Sequence, residues 1–181
     1  MIVAIVVVVL LAALVVAWVV VRNKRSGDLK RQFGAEYYRA LEKTGSRGRA
    51  EAELVSRTKR MARLEIRPLS AGDQDRFAQS WHQTQSSFVD RPSSSVLDAE
   101  KLVVEVMRAR GYPVGDFDQQ AADLSVDHPR FVENYREARA LTLASQRGEA
   151  STENLRQAMV HFRALFEDLL EARRPEFELS R

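Results

Sequence analysis

The chain has 181 residues, of which 45% are hydrophobic and 29% charged, and carries a net charge of +3. Residues 1–21 form one unbroken apolar run and every charge lies after it, so a polar body of single-domain size follows an apolar leader. The absence of cysteine excludes a disulfide scaffold, a thiolate metal site, a cysteine nucleophile and a lipid-modified cysteine.

Residues 2–21 contain no charge, Gly or Pro. As a helix rising ~1.5 Å per residue they cover ~30 Å, the thickness of a bilayer's hydrocarbon core. The expectation is a retained single-pass transmembrane helix whose partner is the lipid bilayer. A cleaved signal would carry a positive stretch ahead of a shorter apolar core and small residues at its end. Here no basic residue precedes Ile2, and Trp18, Val19, Val20 and Val21 stand where small residues are needed. Arg22, Lys24, Arg25, Lys30 and Arg31 follow at once. The positive-inside rule then places the N-terminus outside and the remaining chain in the cytoplasm, at the bacterial inner membrane. These five cations are also the candidate lipid-headgroup contacts, each worth ~1 kcal/mol beside an anionic leaflet. Export, with the leader as signal, is the alternative.

Residues 22–70 hold 14 basic and 6 acidic side chains, whereas residues 71–181 hold 14 basic and 19 acidic. The positive excess therefore sits next to the leader. Arg57, Lys59, Arg60 and Arg63 make a second basic cluster, but no aromatic residues interleave with it and no nucleic-acid partner is expected.

Glycines and prolines cut the rest into helix-sized pieces. Residues 28–43 carry Phe33, Tyr37 and Leu41 at helical spacing, with Gly34 as a weak point. Residues 49–65 show a narrow stripe of Leu54, Met61 and Leu64 amid dense charge, which reads as a solvated stalk or half of an antiparallel pair. Pro68 makes residues 66–69 extended. Ser70 and Asp73 form a capping box for a helix bearing Phe77, Trp81 and Phe88. Ser93, Ser94 or Ser95 caps a long apolar helix, residues 95–110, stopped by Gly111. Asp116 caps a short helix with Phe117, Ala121 and Leu124 on one face. Asp127 or His128 is expected to cap the next, with Pro129 at its first position and Phe131, Tyr135, Ala138 and Leu141 or Thr142 on one side. The last helix starts at Ser151 or Thr152 and carries Leu155, Met159, Phe162, Phe166 and Leu169, the clearest amphipathic period in the chain.

The pattern predicts an all-α protein: an anchor at 1–21, a basic juxtamembrane helical segment at 22–69, a bundle of five to seven helices at 70–172 and a flexible tail at 173–181, where Phe177 and Leu179 are docking candidates. The last helix is expected to pack on residues 95–110. No nucleophile elbow, phosphate-cradling loop or dinucleotide fingerprint occurs, so no catalytic residue, metal ligand or cofactor is assigned. Asp116, Asp118, Asp123 and Asp127 form the densest acidic group, but counting from Asp116 places Ala121 and Asp127 where a calcium loop needs Gly and Glu. The best ligand-cleft candidates are Trp81, His82, Asp116, Asp118 and His128. His161, beside Phe162, reads as a structural histidine.

Two stretches, RGYPVGDFDQQAADLSVDHP (residues 110–129) and RGEASTENLRQAMVHFRALFEDLL (residues 147–170), together with the leader and the basic segment, resemble a family of small, single-span bacterial membrane or secreted proteins that is itself uncharacterised. The resemblance covers nearly the whole chain and implies no activity or cofactor. With no catalytic constellation, the expected role is that of an interaction or adaptor module of the envelope with an unknown protein partner. A small-ligand-binding or enzymatic domain is the alternative.

Overall fold

The computed structural model describes the backbone of residues 2–171 and the side chains of residues 10–171. Among the described residues the chain is all-α: α1 (Ile2–Phe33), α2 (Ala35–Thr44), α3 (Arg47–Met61), α4 (Ala71–Ser87), α5 (Pro92–Arg110), α6 (Phe117–Asp127), α7 (Val132–Gln146) and α8 (Thr152–Glu171). Two compact units, residues 1–56 and 57–181, divide it inside α3. The expected tail at 173–181 lies outside the described residues.

α1 is one helix of 32 residues, so the leader and the first basic stretch are continuous. It ends at Gly34, whose φ of 51° and ψ of −123° only glycine adopts readily, and the helix expected over 28–43 is thereby split between α1 and α2. Among the described residues no helix is long and apolar enough to cross a membrane. Counted from Leu10, the apolar part of α1 is 12 residues, or ~18 Å of helix. Residues 2–9, which complete the run in sequence, lie outside the described side chains.

In the first unit the polar end of α1 buries Ser26, Leu29 and Phe33, spaced so as to share one helix face. Tyr37 and Ala40 of α2 and Ala50 and Leu54 of α3 are buried as well; of the expected stripe Leu54 and Met61 are buried, and Leu64 lies beyond α3 and is half-buried. α3 stops at Met61, where Arg63 N–H and Leu64 N–H turn back to the carbonyls of Arg60 and Met61 at 3.1 and 3.0 Å.

In the second unit α8 lies against α5 and α7, α4 packs on α5 and α8, and α6 on α7. Leu155, Ala158, Met159, Phe162, Leu165, Phe166 and Leu169 of α8 are all buried. At roughly 1.5–3 kcal/mol for each large side chain, this stripe contributes substantially to the unit's stability. α5 contributes Val96, Ala99, Leu102, Val103, Val106 and Met107, and Trp81 of α4 stacks on Phe166 with ring centroids 4.7 Å apart.

The helix ends explain where pattern reading succeeds. Ser70 Oγ accepts from Asp73 N–H at 3.1 Å, and Asp116 Oδ1 accepts from Gln119 N–H at 3.1 Å, as their capping positions require. Two starts differ from expectation. Arg91 precedes α5 and Pro92 is its first residue, because proline's fixed φ and missing N–H suit that position; Ser93, Ser94 and Ser95 fall inside the helix. Asp127 is the last residue of α6 and His128 its C-terminal cap, with His128 N–H on the Leu124 carbonyl at 2.7 Å, so neither starts α7. Pro129 lies in the turn between the two helices.

Residues 65–70 follow the turn after α3 as an irregular segment without helix. Arg67 N–H donates to the Arg110 carbonyl at 2.9 Å, beside the end of α5. The approach is so close that a Cβ on Gly111, at φ 95°, would stand 2.6 Å from the Glu65 carbonyl oxygen.

Candidate functional site

The densest polar cluster of the second unit grows from two helix ends. Gly111 terminates α5 in a Schellman turn, with Tyr112 N–H on the Met107 carbonyl at 3.0 Å, and this turn buries the Tyr112 ring. The end of α6 supplies Asp127 and His128, and α8 supplies Asp168. Tyr112 Oη lies 3.1 Å from Asp127 Oδ2 and 3.0 Å from His128 Nε2, while His128 Nδ1 is in direct hydrogen-bond contact with Asp168 Oδ2. Four residues thus make one chain, Asp127–Tyr112–His128–Asp168, between α6 and α8.

The phenol has a single proton. Donated to His128 Nε2, it fixes the imidazole as the Nδ1–H tautomer, which donates to Asp168; donated to Asp127, it requires Nε2 to be a donor. Burial pushes the Tyr112 hydroxyl far above its usual range, and the nearby Asp127 charge adds to this. Burial also raises Asp127, against the opposing hydrogen bond from Tyr112 and the charges of His128 and Arg110. Tyr112 is 3% and His128 7% exposed. Both ring nitrogens of His128 are engaged, so the chain holds the end of α6 to α8 and presents no free base at a surface.

The structure distributes the other cleft candidates differently. Trp81 is buried against Phe166, its Nε1–H without a hydrogen-bond partner among the described residues, and His82 is exposed on the same helix. Asp116 is a helix cap; Asp118 is exposed and lies 3.6 Å from Arg136. Only His128 joins a cluster. Among the described residues no group of three or more His, Asp or Glu side chains is placed to hold a metal ion. His161 Nε2 pairs with Glu137 at 3.0 Å.

The second basic cluster is only partly an open surface: Lys59 and Arg63 are exposed, whereas Arg57 and Arg60 are engaged by other side chains. Arg57 is buried and donates to Ser125 Oγ at 3.4 Å, and Arg60 Nε donates to Asp123 Oδ1 at 3.0 Å. Asp123 is fully buried, and Gln119 Nε2 also donates to it, at 2.9 Å. Sequence reading placed these residues in two separate charge groups. A groove of about 490 Å³ beside α5 is lined by Glu100, Lys101, Arg108, Phe117 and Arg139. Arg139 there is tied to Glu100 at 2.6 Å, which leaves the groove with mixed charge and no single attraction.

In the first unit, the headgroup candidates Arg22, Lys24, Arg25, Lys30 and Arg31 are all exposed. Arg31 pairs with Asp28, Lys30 lies 5.3 Å from the Tyr37 ring centre, and Arg22 lies 5.1 Å from that of Trp18. Glu51 Oε1 collects donors from Ser26 at 2.6 Å, Arg47 at 2.9 Å and Tyr37 at 3.1 Å. Burial works to raise the Glu51 carboxyl, but these hydrogen bonds outweigh it and hold the group below its ordinary value.

No family model matches the chain, and no curated protein or solved structure matches it.

Proposed function

We propose that the protein is a membrane-anchored helical module of the bacterial envelope that acts by binding a protein partner, as an adaptor and not an enzyme. The observation that supports this is on α1. From Leu10 to Val21 every side chain is exposed, including Leu10, Leu11, Leu14, Val15, Val16, Trp18, Val20 and Val21, each more than half open. A helix apolar on all sides has no stable place in water and needs a solvent such as hydrocarbon. Continued through residues 2–9, the apolar run reaches the ~20 residues a single span requires. The cations after Val21 favour an external N-terminus and cytoplasmic helical units.

The test is a pair of fusions to Arg181, one reporter active only in the cytoplasm and one only outside, together with alkaline extraction of membranes. The expected result is cytoplasmic signal and retention in the extracted membrane. External signal would make the leader an export element and move the search for partners to the cell wall. A reproducible partner should co-purify in mild detergent, and its repeated absence would count against the adaptor reading.

A second reading, a small-ligand-binding or enzymatic domain, draws support from the Asp127–Tyr112–His128–Asp168 chain, because linked phenol, imidazole and carboxylate groups can relay protons. A thermal-shift screen with metabolites and divalent metals, run beside His128→Gln, tests it. A ligand that stabilises the native chain and not the variant would favour this reading, and no shift with any ligand would remove it.

A further inference from the structure

Resting on the membrane-anchor reading, we propose that the first unit carries a specific site for the phosphodiester headgroup of an anionic phospholipid, formed by Arg22 and Arg25 of α1 against the first turns of α3. The two helices flank an open cavity of about 340 Å³ lined by Trp18, Val21, Arg22, Arg25, Gly48 and Glu51. It lies where the apolar run gives way to charge, so one wall is apolar and the other cationic, in the order in which a phospholipid changes from acyl chain to phosphate.

Three features favour an anion there. Among the described residues neither Arg22 nor Arg25 has an ion-pair or hydrogen-bond partner, whereas Arg31 and Arg47 are taken by Asp28 and Glu51. Arg22 rests over the Trp18 ring at 5.1 Å, which keeps its guanidinium at the boundary. Two guanidinium groups on successive turns match a phosphate's oxygens by bidentate, charge-assisted bonds, which an ammonium does not reproduce. Glu51, the one acidic lining residue, has its charge offset by Arg47 and its Oε1 filled by three donors. Its other oxygen is left to accept from a headgroup hydroxyl. A Cβ built on Gly48 would meet nothing within 4 Å, so the lining is open at that point and a larger side chain there would project into free space.

The experiment is native mass spectrometry of the full chain in detergent, titrated with phosphatidylglycerol or phosphatidylcholine, with inorganic phosphate as competitor. Phosphatidylglycerol should be retained in preference to phosphatidylcholine. Arg22→Gln with Arg25→Gln should weaken retention about tenfold or more, the loss expected for charge-assisted hydrogen bonds. Lys43→Gln with Arg49→Gln, which removes equal charge at exposed residues outside the cavity lining, should leave it unchanged. Gly48→Leu keeps every charge and fills the cavity, and it too should abolish the preference; an unchanged circular dichroism melt confirms that each variant folds. Equal loss in both charge pairs, or full binding by Gly48→Leu, would reduce the site to diffuse attraction and overturn the proposal. Displacement by millimolar phosphate would make it a general anion site and overturn the lipid assignment. Alkaline extraction of the native chain from membranes would sink the anchor reading itself; retention in membranes without lipid preference would sink the site alone.

Discussion

The Arg110 guanidinium, itself 1% exposed, donates through Nη1 to the Leu169 carbonyl at 3.1 Å and so joins the C-terminal end of α5 to α8. A carbonyl oxygen has two lone pairs, so the Leu169 carbonyl can accept from the guanidinium, whose donors need acceptors once it is buried away from water. Nε of the same side chain lies 3.4 Å from the Arg67 carbonyl, tying in the irregular segment.

Arg110→Leu keeps the apolar stem but takes the guanidinium donor from both carbonyls. The expected loss is roughly 2–4 kcal/mol of unfolding free energy, from two hydrogen bonds to a charged group. Arg110→Lys should fall between, because an ammonium lacks the planar fork that serves two acceptors. Urea unfolding with an unchanged slope checks both, and a Leu variant within 0.5 kcal/mol of the native chain, the ordinary range for a surface change, would refute the bridging role.

Asp127 gives a pH signature. Its carboxyl is raised in the folded chain by burial above the value it has when unfolded. The native state therefore binds the proton more tightly, and the stability this contributes is fully present below the unfolded value and lost as pH rises through the folded one. Asp127→Asn mimics the protonated form. The difference in melting temperature between Asn variant and native chain should shift in the variant's favour as pH rises from 4 to 8, the span above the ordinary carboxyl range. A difference that is flat or moves the other way would show that Asp127 is not raised.

Features legible in the sequence were those whose cause is local. The stripe from Leu155 to Leu169, the capping side chains of Ser70 and Asp116, and the Gly111 stop each need information from a few neighbouring residues, and each is where the pattern places it. His128 illustrates the opposite. As a residue next to Pro129 it looks like a helix start, but its contact is with Asp168, 40 positions away, and no local spacing announces that. Arg57 and Arg60 read as surface charge for the same reason, since Ser125 and Asp123 are 68 and 63 positions distant. The Trp81–His82 pair had a composition suited to a cleft, yet Trp81 goes to the core because Phe166 offers it a ring to stack on.

The Arg60–Asp123 pair sets a prediction about asymmetry. Asp123 is fully buried and Arg60 about two-fifths open, so the two ends are not equivalent. Arg60→Ala leaves a buried carboxylate with Gln119 as its remaining donor, at an expected cost of about 3 kcal/mol. Asp123→Leu with Arg60→Leu removes the charge as well and should cost clearly less than Arg60→Ala, because no unpaired buried ion remains. Chemical denaturation of the two variants decides the point, and a double variant weaker than the single would mean that the pair contributes net stability.

Trp81 supplies the last prediction, from a hydrogen bond that is missing. Its ring stacks on Phe166 at 4.7 Å, but its Nε1–H is buried without a partner among the described residues. A buried donor that lost its water and gained nothing is a cost of about 1–3 kcal/mol. Trp81→Phe removes that donor while keeping an aromatic face on Phe166, though the smaller ring loses some contact. These two effects oppose each other, and the variant should melt within a few degrees of the native chain, a change of roughly 1 kcal/mol or less. Trp81→Ala keeps neither the ring nor the packing and should lose about 3–5 kcal/mol. If Phe costs nearly as much as Ala, the indole N–H has a partner that the protein supplies in solution, and Trp81 would return as a ligand-cleft residue.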